Sequence, residues 1–218
     1  MDQALEPGSG ALSSVQHPIY LFRHGETVWN AEKRAQGHLD SPLTAAGRAQ
    51  AQALGRGLAA ELGRSGYAPP AVAVRASPLG RVRETLAIAA QAAGLVHDEA
   101  CHDHRLREIS WGDWDGLNIP EIEARWPTEI AARRLDRWNY RPPNGENYAM
   151  ASQRARPALD DVVRLAKSKP VAVFAHGGIG RVLRGLFIGA AQAEILAMDQ
   201  PHDAFYRLHR GAAERIGP

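Results

Sequence analysis

Ile19-Tyr20-Leu21-Phe22-Arg23-His24-Gly25 sets the reading of the whole chain. Four consecutive apolar residues suit a strand covered on both faces, as in a parallel sheet. Val171-Ala172-Val173-Phe174-Ala175-His176-Gly177 repeats the pattern. Each apolar run ends in histidine followed by glycine. Ligands in open α/β sheets bind beyond the carboxyl ends of the strands, so both histidines fall where a site is expected. Each one alone reads equally well as an inert loop histidine; the shared context makes the pair informative.

Between these strands the sequence alternates in character. Thr44 is a suitable N-cap for an Ala/Leu/Arg helix to about Leu62. Ala71–Val74 reads as a short strand. Ser77-Pro78 then reads as an N-cap with proline at the first helical position, opening a helix to about Ala93 that Gly94 closes. Residues 102–118 are polar and rich in Trp and Gly, which suits a loop over a site. Pro120 and Pro127 open two short helices, and Arg141-Pro142-Pro143-Asn144-Gly145 is a turn. A helix is expected over Tyr148–Ala166, kinked at Pro157 or starting there. Another follows His176-Gly177-Gly178 and runs to about Ile188, and Ala204–Leu208 reads as the last strand. Alternating strands and helices predict an α/β fold, a three-layer sandwich with a mostly parallel central sheet flanked by helices. Residues 1–17 read as a flexible tail, and 18–218 as one domain with a cap insertion around 100–150.

The 218 residues are 44% hydrophobic and 23% charged, which excludes a mainly disordered chain. No run of about 18 apolar residues offers a membrane span. The net charge is +2 and no long basic stripe is present, which argues against nucleic acid. Arg far outnumbers Lys, and Arg suits bidentate phosphate recognition. The single cysteine, Cys101, cannot form an internal disulfide, and residues 1–17 lack the apolar core of a signal peptide. A cytoplasmic protein is expected.

Some patterns are set aside. Cys101-His102-Asp103-His104 crowds possible ligands together without convincing metal spacing. Gly178-Ile179-Gly180 lacks the third glycine of a dinucleotide loop, since position 183 is Leu. Trp111, Trp114, Trp126 and Trp138 read as packing residues of the cap.

The ordered set Arg23-His24-Gly25-Glu26-Thr27 with Trp29-Asn30, Gly37-His38-Leu39-Asp40-Ser41-Pro42-Leu43-Thr44, Gly47, Ser77-Pro78-Leu79 with Arg81 and Thr85, Leu106 with Glu108, Gly112 and Gly116, Pro143 with Gly145-Glu146, and His176-Gly177-Gly178 with Arg181 resembles the histidine phosphatase superfamily, the phosphoglycerate mutase-like proteins. It covers roughly residues 18–208. The resemblance implies a phosphoglycerate mutase-like fold and a set of roles. His24 would be the nucleophile, with Gly25 fixing its ring tautomer. Arg23 and Arg81 would clamp the phosphoryl oxygens, and His176 would complete that pocket through a protonated ring or a donor nitrogen. Glu108 would serve as general acid and then base, against the plainer reading of a surface glutamate paired with Arg105 or Arg107. Asn30 would add a neutral donor, and Thr44 and Gly177 would contact substrate. No metal or cofactor is called for. The substrate would be a small phosphorylated metabolite.

Ile109-Ser110-Trp111-Gly112-Asp113-Trp114-Asp115-Gly116 after Glu108 looks like the broad-specificity phosphatase branch rather than a mutase. Trp138–Tyr148 is similar to the fructose-2,6-bisphosphatase pattern. Pro201-His202-Asp203 departs from the family, which often has Asn before the last strand. Two alternatives stay open: a cofactor-dependent phosphoglycerate mutase, and an inactive phospho-ligand or protein-binding module. Arg133, Arg134, Arg137 and Arg141 cluster in the cap. The first two read as a solvated helix face. Arg137 and Arg141 flank the turn, and Arg141 is the candidate for a second anionic group on the substrate. Oligomeric state is not legible, a homodimer being one open arrangement.

Overall fold

The computed structural model describes residues 15–217. Strand β1 (Ile19–Arg23) lies at the centre of a five-stranded sheet. The chain then makes α1 (Val28–Ala31), α2 (Ala45–Arg64), β2 (Ala73–Ala76) and α3 (Gly80–Ala93). The cap follows, with α4 (Ile119–Arg125) and α5 (Pro127–Leu135) joined by short turns. The remaining elements are α6 (Tyr148–Leu165), β3 (Val171–Ala175), α7 (Gly177–Ile188), α8 (Gln192–Ala197), β4 (Phe205–His209) and β5 (Ala212–Ile216). The strand order is β2-β3-β1-β4-β5. β2, β3 and β1 are parallel; β4 runs antiparallel to β1, and β5 antiparallel to β4. Only β4 therefore runs against the common direction.

Alternation along the strands divides the core. Tyr20, Phe22, Val74, Ala172 and Phe174 face Leu54 and Leu58 of α2 and Val82 and Leu86 of α3. Ile19, Leu21, Val171 and Val173 face Leu159 and Val162 of α6 and Ile179 and Val182 of α7. This gives the three layers. Phe22 and Phe174, opposite each other in register, stack with centroids 4.6 Å apart. Burying each such ring contributes roughly 1.5–3 kcal/mol. The cap has its own small core of Trp114, Ile122 and Ile130, against which Trp111, Trp126 and Tyr140 pack. Trp138 instead joins the α6–α7 side of the main core.

Several expectations shift. β2 starts two residues late, because Pro69 and Pro70 hold the preceding residues in a 3₁₀ turn over Pro69–Ala71. α3 starts at Gly80, so Ser77 is not its N-cap and Pro78 is not its first residue. Asp40 supplies the cap from a distant loop, accepting from the Gly80 N–H at 2.6 Å and the Arg81 N–H at 3.3 Å. Pro157 lies inside α6 and does not start it. α8 and β5 were not expected. The packed chain also begins before residue 18: Val15 is buried in the core, and the His17 N–H bonds Ala166. The expected tail over residues 1–14 lies outside the described residues. Among the described residues no helix is long and apolar enough to cross a membrane.

Candidate active site

The sheet register brings the site together. The His24 N–H donates to Ala175 O at 3.2 Å, and the Ser77 N–H donates to Phe174 O at 2.9 Å. Ser77, His176 and His24 thus follow the carboxyl ends of three adjacent parallel strands. β4, being antiparallel, begins at this same end. The loop that feeds it sets His202 beside His24, with ring centroids 5.6 Å apart.

His24 is buried. Its Nδ1 is 2.8 Å from Gly25 O, and a carbonyl only accepts, so Nδ1 carries the proton. The lone pair therefore sits on Nε2. The Glu26 N–H, in the same peptide as that carbonyl, donates to Gln50 Oε1 at 2.9 Å, and the Gly25 N–H donates to Thr85 Oγ1 at 3.0 Å, so the residue is held from both sides. A Cβ at Gly25 would lie 2.2 Å from Gly47 O, so the turn meets the first turn of α2 only as glycine against glycine. Burial, then the charges of Arg81 and Arg23, hold the His24 ring well below its ordinary pKa. The ring is neutral at pH 7.

His176 is also buried, with its ring centroid 5.2 Å from that of His24. Arg81 Nε donates to its Nδ1 at 3.1 Å. A guanidinium has no acceptor, so the His176 proton must be on Nε2, 2.8 Å from Ser77 Oγ. Burial and the neighbouring Arg81 push this pKa well down too. The His176 ring is therefore neutral, and its one donor nitrogen is turned to Ser77 rather than left open toward a phosphate. Arg81 is nearly sealed: Nη1 donates to Leu39 O and Asp40 Oδ1, both at 2.8 Å, and Nη2 to Gly37 O at 2.7 Å. One Nη2 proton is left without an acceptor among the described residues.

Arg23 Nη1 donates to Gln200 O at 2.8 Å, while its buried Nε has no partner. Burial pulls its pKa down to about 10. A Cβ on Gly177 would lie 3.2 Å from Arg23 Cζ, so glycine there lets the guanidinium lie against α7. Glu108 does not pair with Arg105 or Arg107. Arg105 is taken by Asp103 and Asp161. Instead Glu108 Oε2 accepts from the Gly178 N–H, and Oε1 from the Ile179 and Ile109 N–H groups, all at 2.9 Å. Two of these donors belong to the first turn of α7, where the helix dipole favours negative charge. The Glu108 carbonyl is clamped in turn by His38 Nε2 at 2.8 Å and Arg154 Nη2 at 3.3 Å. Oε2, with one bond, keeps a lone pair that can carry a proton.

The remaining expected contacts divide. Asn30 and Thr27 cap α1 reciprocally, which commits Asn30 Oδ1 to the Thr27 N–H at 3.2 Å and leaves Nδ2 as the donor for a ligand. Thr44 is fully used in the fold: it accepts from the Gly47 N–H at 2.9 Å and donates to Glu26 Oε1 at 2.8 Å. We therefore assign it to capping and not to substrate. Arg141 is exposed and its Nε donates to Gly145 O at 2.7 Å, so it ties the turn and does not line the cavity.

That cavity, about 160 Å³, lies under the cap. Arg23, Gly177, Gly178 and Glu108 form its sheet-edge side; Trp111, Arg133, Arg137 and Tyr140 form the cap side. Arg133 was expected on a solvated face. It instead lies flat on Trp111, 4.1 Å from the ring centroid. Its neighbour Arg134 is solvated and pairs with Glu123. Sequence reasoning also missed Ser77 as a partner of His176, and His202, whose Nδ1–H donates to His24 O at 2.7 Å. The departure at Pro201-His202-Asp203 was the available signal for the latter.

Comparison with known proteins agrees with this geometry. Residues 19–215 match the family model of the histidine phosphatase superfamily (branch 1). "Probable phosphoglycerate mutase GpmB" of Escherichia coli is 37% identical over 201 residues, covering 91% of this chain and 83% of the relative. The mycobacterial glucosyl-3-phosphoglycerate phosphatase superposes with TM-score 0.73 at 27% identity, covering 92% of this chain and 97% of that one. The α-ribazole phosphatase of Shigella flexneri shares the fold, with TM-score 0.78 at 22% identity over 92% of this chain and 96% of its own. With a family model spanning nearly the whole described chain and its two strand-end histidines side by side, this protein belongs to the histidine phosphatase superfamily, branch 1.

Proposed function

We propose that this protein is a metal-independent phosphomonoester hydrolase that works through a phosphohistidine at His24. The observation that carries the reading is the His24 ring: neutral, with its proton held by Gly25 O, and with a free Nε2 beside Arg81, Arg23 and His176. In the first step Nε2 forms a bond to phosphorus while the ester P–O bond breaks. The carboxyl proton of Glu108 passes to the departing oxygen. In the second step water attacks phosphorus, the P–N bond returns its electrons to Nε2, and Glu108 takes the water proton. The sum is ester plus water giving alcohol plus phosphate. Charge on the transferring group is met by Arg23, the spare Nη2 proton of Arg81 and the Asn30 amide, since such transfer depends mainly on positioning and electrostatics.

The names of the sequence relatives support a second reading, a phosphoglycerate mutase, in which the phosphoryl group returns to a hydroxyl. One experiment separates the two. Incubation with labelled 3-phosphoglycerate and a bisphosphoglycerate primer should release phosphate faster than it forms 2-phosphoglycerate, with or without EDTA. Rapid isomerisation with little free phosphate establishes the mutase; loss of turnover in EDTA, restored by one divalent ion, removes the metal-independent mechanism. An alkaline quench should leave base-stable label on the wild type and none on His24→Ala. Equal label on both refutes the nucleophile.

A further inference from the structure

Glu108 lies in a stretch, residues 107–111, that forms neither helix nor strand, yet its main chain is firmly held. Arg154 of α6 spends all five of its N–H donors around it. Nε and Nη2 hold the two carboxylate oxygens of Glu146 at 2.9 and 2.8 Å. Nη1 donates to Arg105 O at 2.7 Å and Arg107 O at 3.1 Å, and Nη2 also to Glu108 O at 3.3 Å. Glu146 grips the same stretch: its N–H donates to Ser110 O at 2.9 Å, and its Oε2 accepts from the Ser110 N–H at 3.2 Å. A Cβ at Gly145 would lie 2.8 Å from Ser110 O, so the turn bearing Glu146 comes this close only as glycine. His38 completes the group, with Nε2 2.8 Å from Glu108 O and 3.7 Å from Glu146 Oε2. Burial, then the charge of Arg107, keeps that ring below its ordinary pKa, so it is neutral with its proton on Nε2. Burial pushes the Glu146 carboxyl up, but Arg154 outweighs it and holds the group below the usual carboxylate range. Both members of the pair are only 18% exposed, which spares it much of the screening that weakens surface pairs. None of the three side chains has a part in the phosphoryl transfer described above.

We propose that Arg154, Glu146 and His38 are positioning residues for the general acid. They fix the main chain over residues 105–110, so that the Glu108 carboxyl meets the leaving oxygen, and later the attacking water, at hydrogen-bond distance. This rests on the phosphatase reading above. The carboxylate end of Glu108 is tied to the start of α7; its main-chain end is tied to α6 and to the turn at Gly145. A side chain held at both ends keeps one reach. Released at the main chain, it shifts within the tolerance that proton transfer demands, where a misplacement of about 1 Å costs roughly 10²-fold. The hydrogen bonds of the clamp go to the Glu108 stretch and not to His24, Arg23 or Arg81, so proton delivery and not attack on phosphorus bears the loss.

Leaving-group dependence reads this directly. The esters are ethyl phosphate, phenyl phosphate and p-nitrophenyl phosphate, whose leaving oxygens need a proton in decreasing measure. Glu146→Gln turns one acceptor of the pair into a donor facing another donor, and Arg154→Lys removes the fork. Each should lower kcat/KM about 10–100-fold on ethyl phosphate and no more than about threefold on p-nitrophenyl phosphate. In a Glu108→Gln background the same changes should cost about twofold or less on every ester, because the acid they position is gone. His38→Ala should follow the pattern more weakly, and His38→Gln, which restores an N–H donor toward Glu108 O, should recover most of the loss. Equal losses on all three esters, or the full loss retained in the Glu108→Gln background, overturn the clamp and leave Arg154 and Glu146 as residues of the fold. Should Arg154→Lys not fold, Glu146→Gln and His38→Ala, which leave Arg154 in place, decide by the same measures. Glu108→Gln that discriminates among the esters, beside clamp variants that do not, refutes the clamp and spares the acid. A wild type that turns over none of the esters, or Glu108→Gln without discrimination, refutes the acid and the clamp with it.

Discussion

The strand-end site and the cavity under the cap beside it are built on opposite rules. At the edge nearly every donor is spoken for: Arg81 gives four hydrogen bonds to the protein, and both histidines have their tautomers set by a neighbour. Under the cap, Arg133 and Arg137 lie against the rings of Trp111 and Tyr148, and the buried Nε atoms of Arg137 and Arg181 have no partner. The first arrangement fixes the atoms that the proposed reaction uses; the second leaves three guanidinium groups outside any ion pair among the described residues.

The contrast breaks most visibly at Glu108, where the two regions meet. Glu108→Gln should lower kcat/KM for alkyl phosphates by about 10²–10⁴, the usual worth of a positioned acid. Aryl phosphates, whose leaving oxygen departs without a proton, should lose far less in the phosphorylation step. Equal losses on both would make Glu108 a latch that holds α7 rather than a proton donor.

Acid should separate the regions next. His24 and His176 are held well below the usual histidine range, His202 is drawn down to about 4, and burial is the leading cause in each. Below about pH 6.5 the unfolded chain protonates these rings while the folded chain does not. The unfolded state then binds more protons, so stability falls as pH falls, by up to about 1.4 kcal/mol per pH unit for each ring. Asp115, pushed up to about 6 by burial, works the other way: its folded carboxyl takes a proton that the unfolded one refuses until about pH 4, which offsets one ring. Urea midpoints should be flat above pH 7 and clearly lower at pH 5.5. A midpoint independent of pH would mean that the edge rings are not held neutral. Arg133, drawn down only to about 10, does not titrate in this window.

How much of this the sequence disclosed follows the same divide. The strand ends at His24 and His176 were legible because a buried run of β residues announces itself locally. Thr44 and Gly94, which cap α2 and α3, were legible for the same reason. The start of α3 was not, because its cap is the side chain of Asp40, brought up by the tertiary fold. β5 lies at the sheet margin with no fully buried residue and with Glu214 and Arg215 both exposed, so it offers no hydrophobic signal. His202 was hidden because an antiparallel strand contributes the residue before its start, whereas the reading looked after strand ends. Arg133 misled because a charged residue on a short helix looks solvated until Trp111 is seen beneath it.

The smallest effect tests His202 itself. Its Nδ1–H supports the His24 carbonyl, so His202→Ala should reduce kcat about two- to fivefold, the modest cost of one neutral hydrogen bond. His202→Asn, which restores a side-chain N–H donor, should recover most of the loss. An alanine variant as active as the wild type would leave the third imidazole as packing alone.

The hydrogen bond between His24 Nδ1 and Gly25 O also bears on how long the intermediate lasts. In the proposed reaction Nε2 takes the phosphoryl group while Nδ1 keeps its proton, so the modified ring becomes an imidazolium. A cationic nitrogen is a far better leaving group than a neutral one. It is formed, moreover, among guanidinium groups that already disfavour charge on that ring. The proton that selects the attacking nitrogen thus also makes the P–N bond ready to break. The same proton that keeps the intermediate labile is removed by strong base, which is why an alkaline quench is the condition that preserves label on His24.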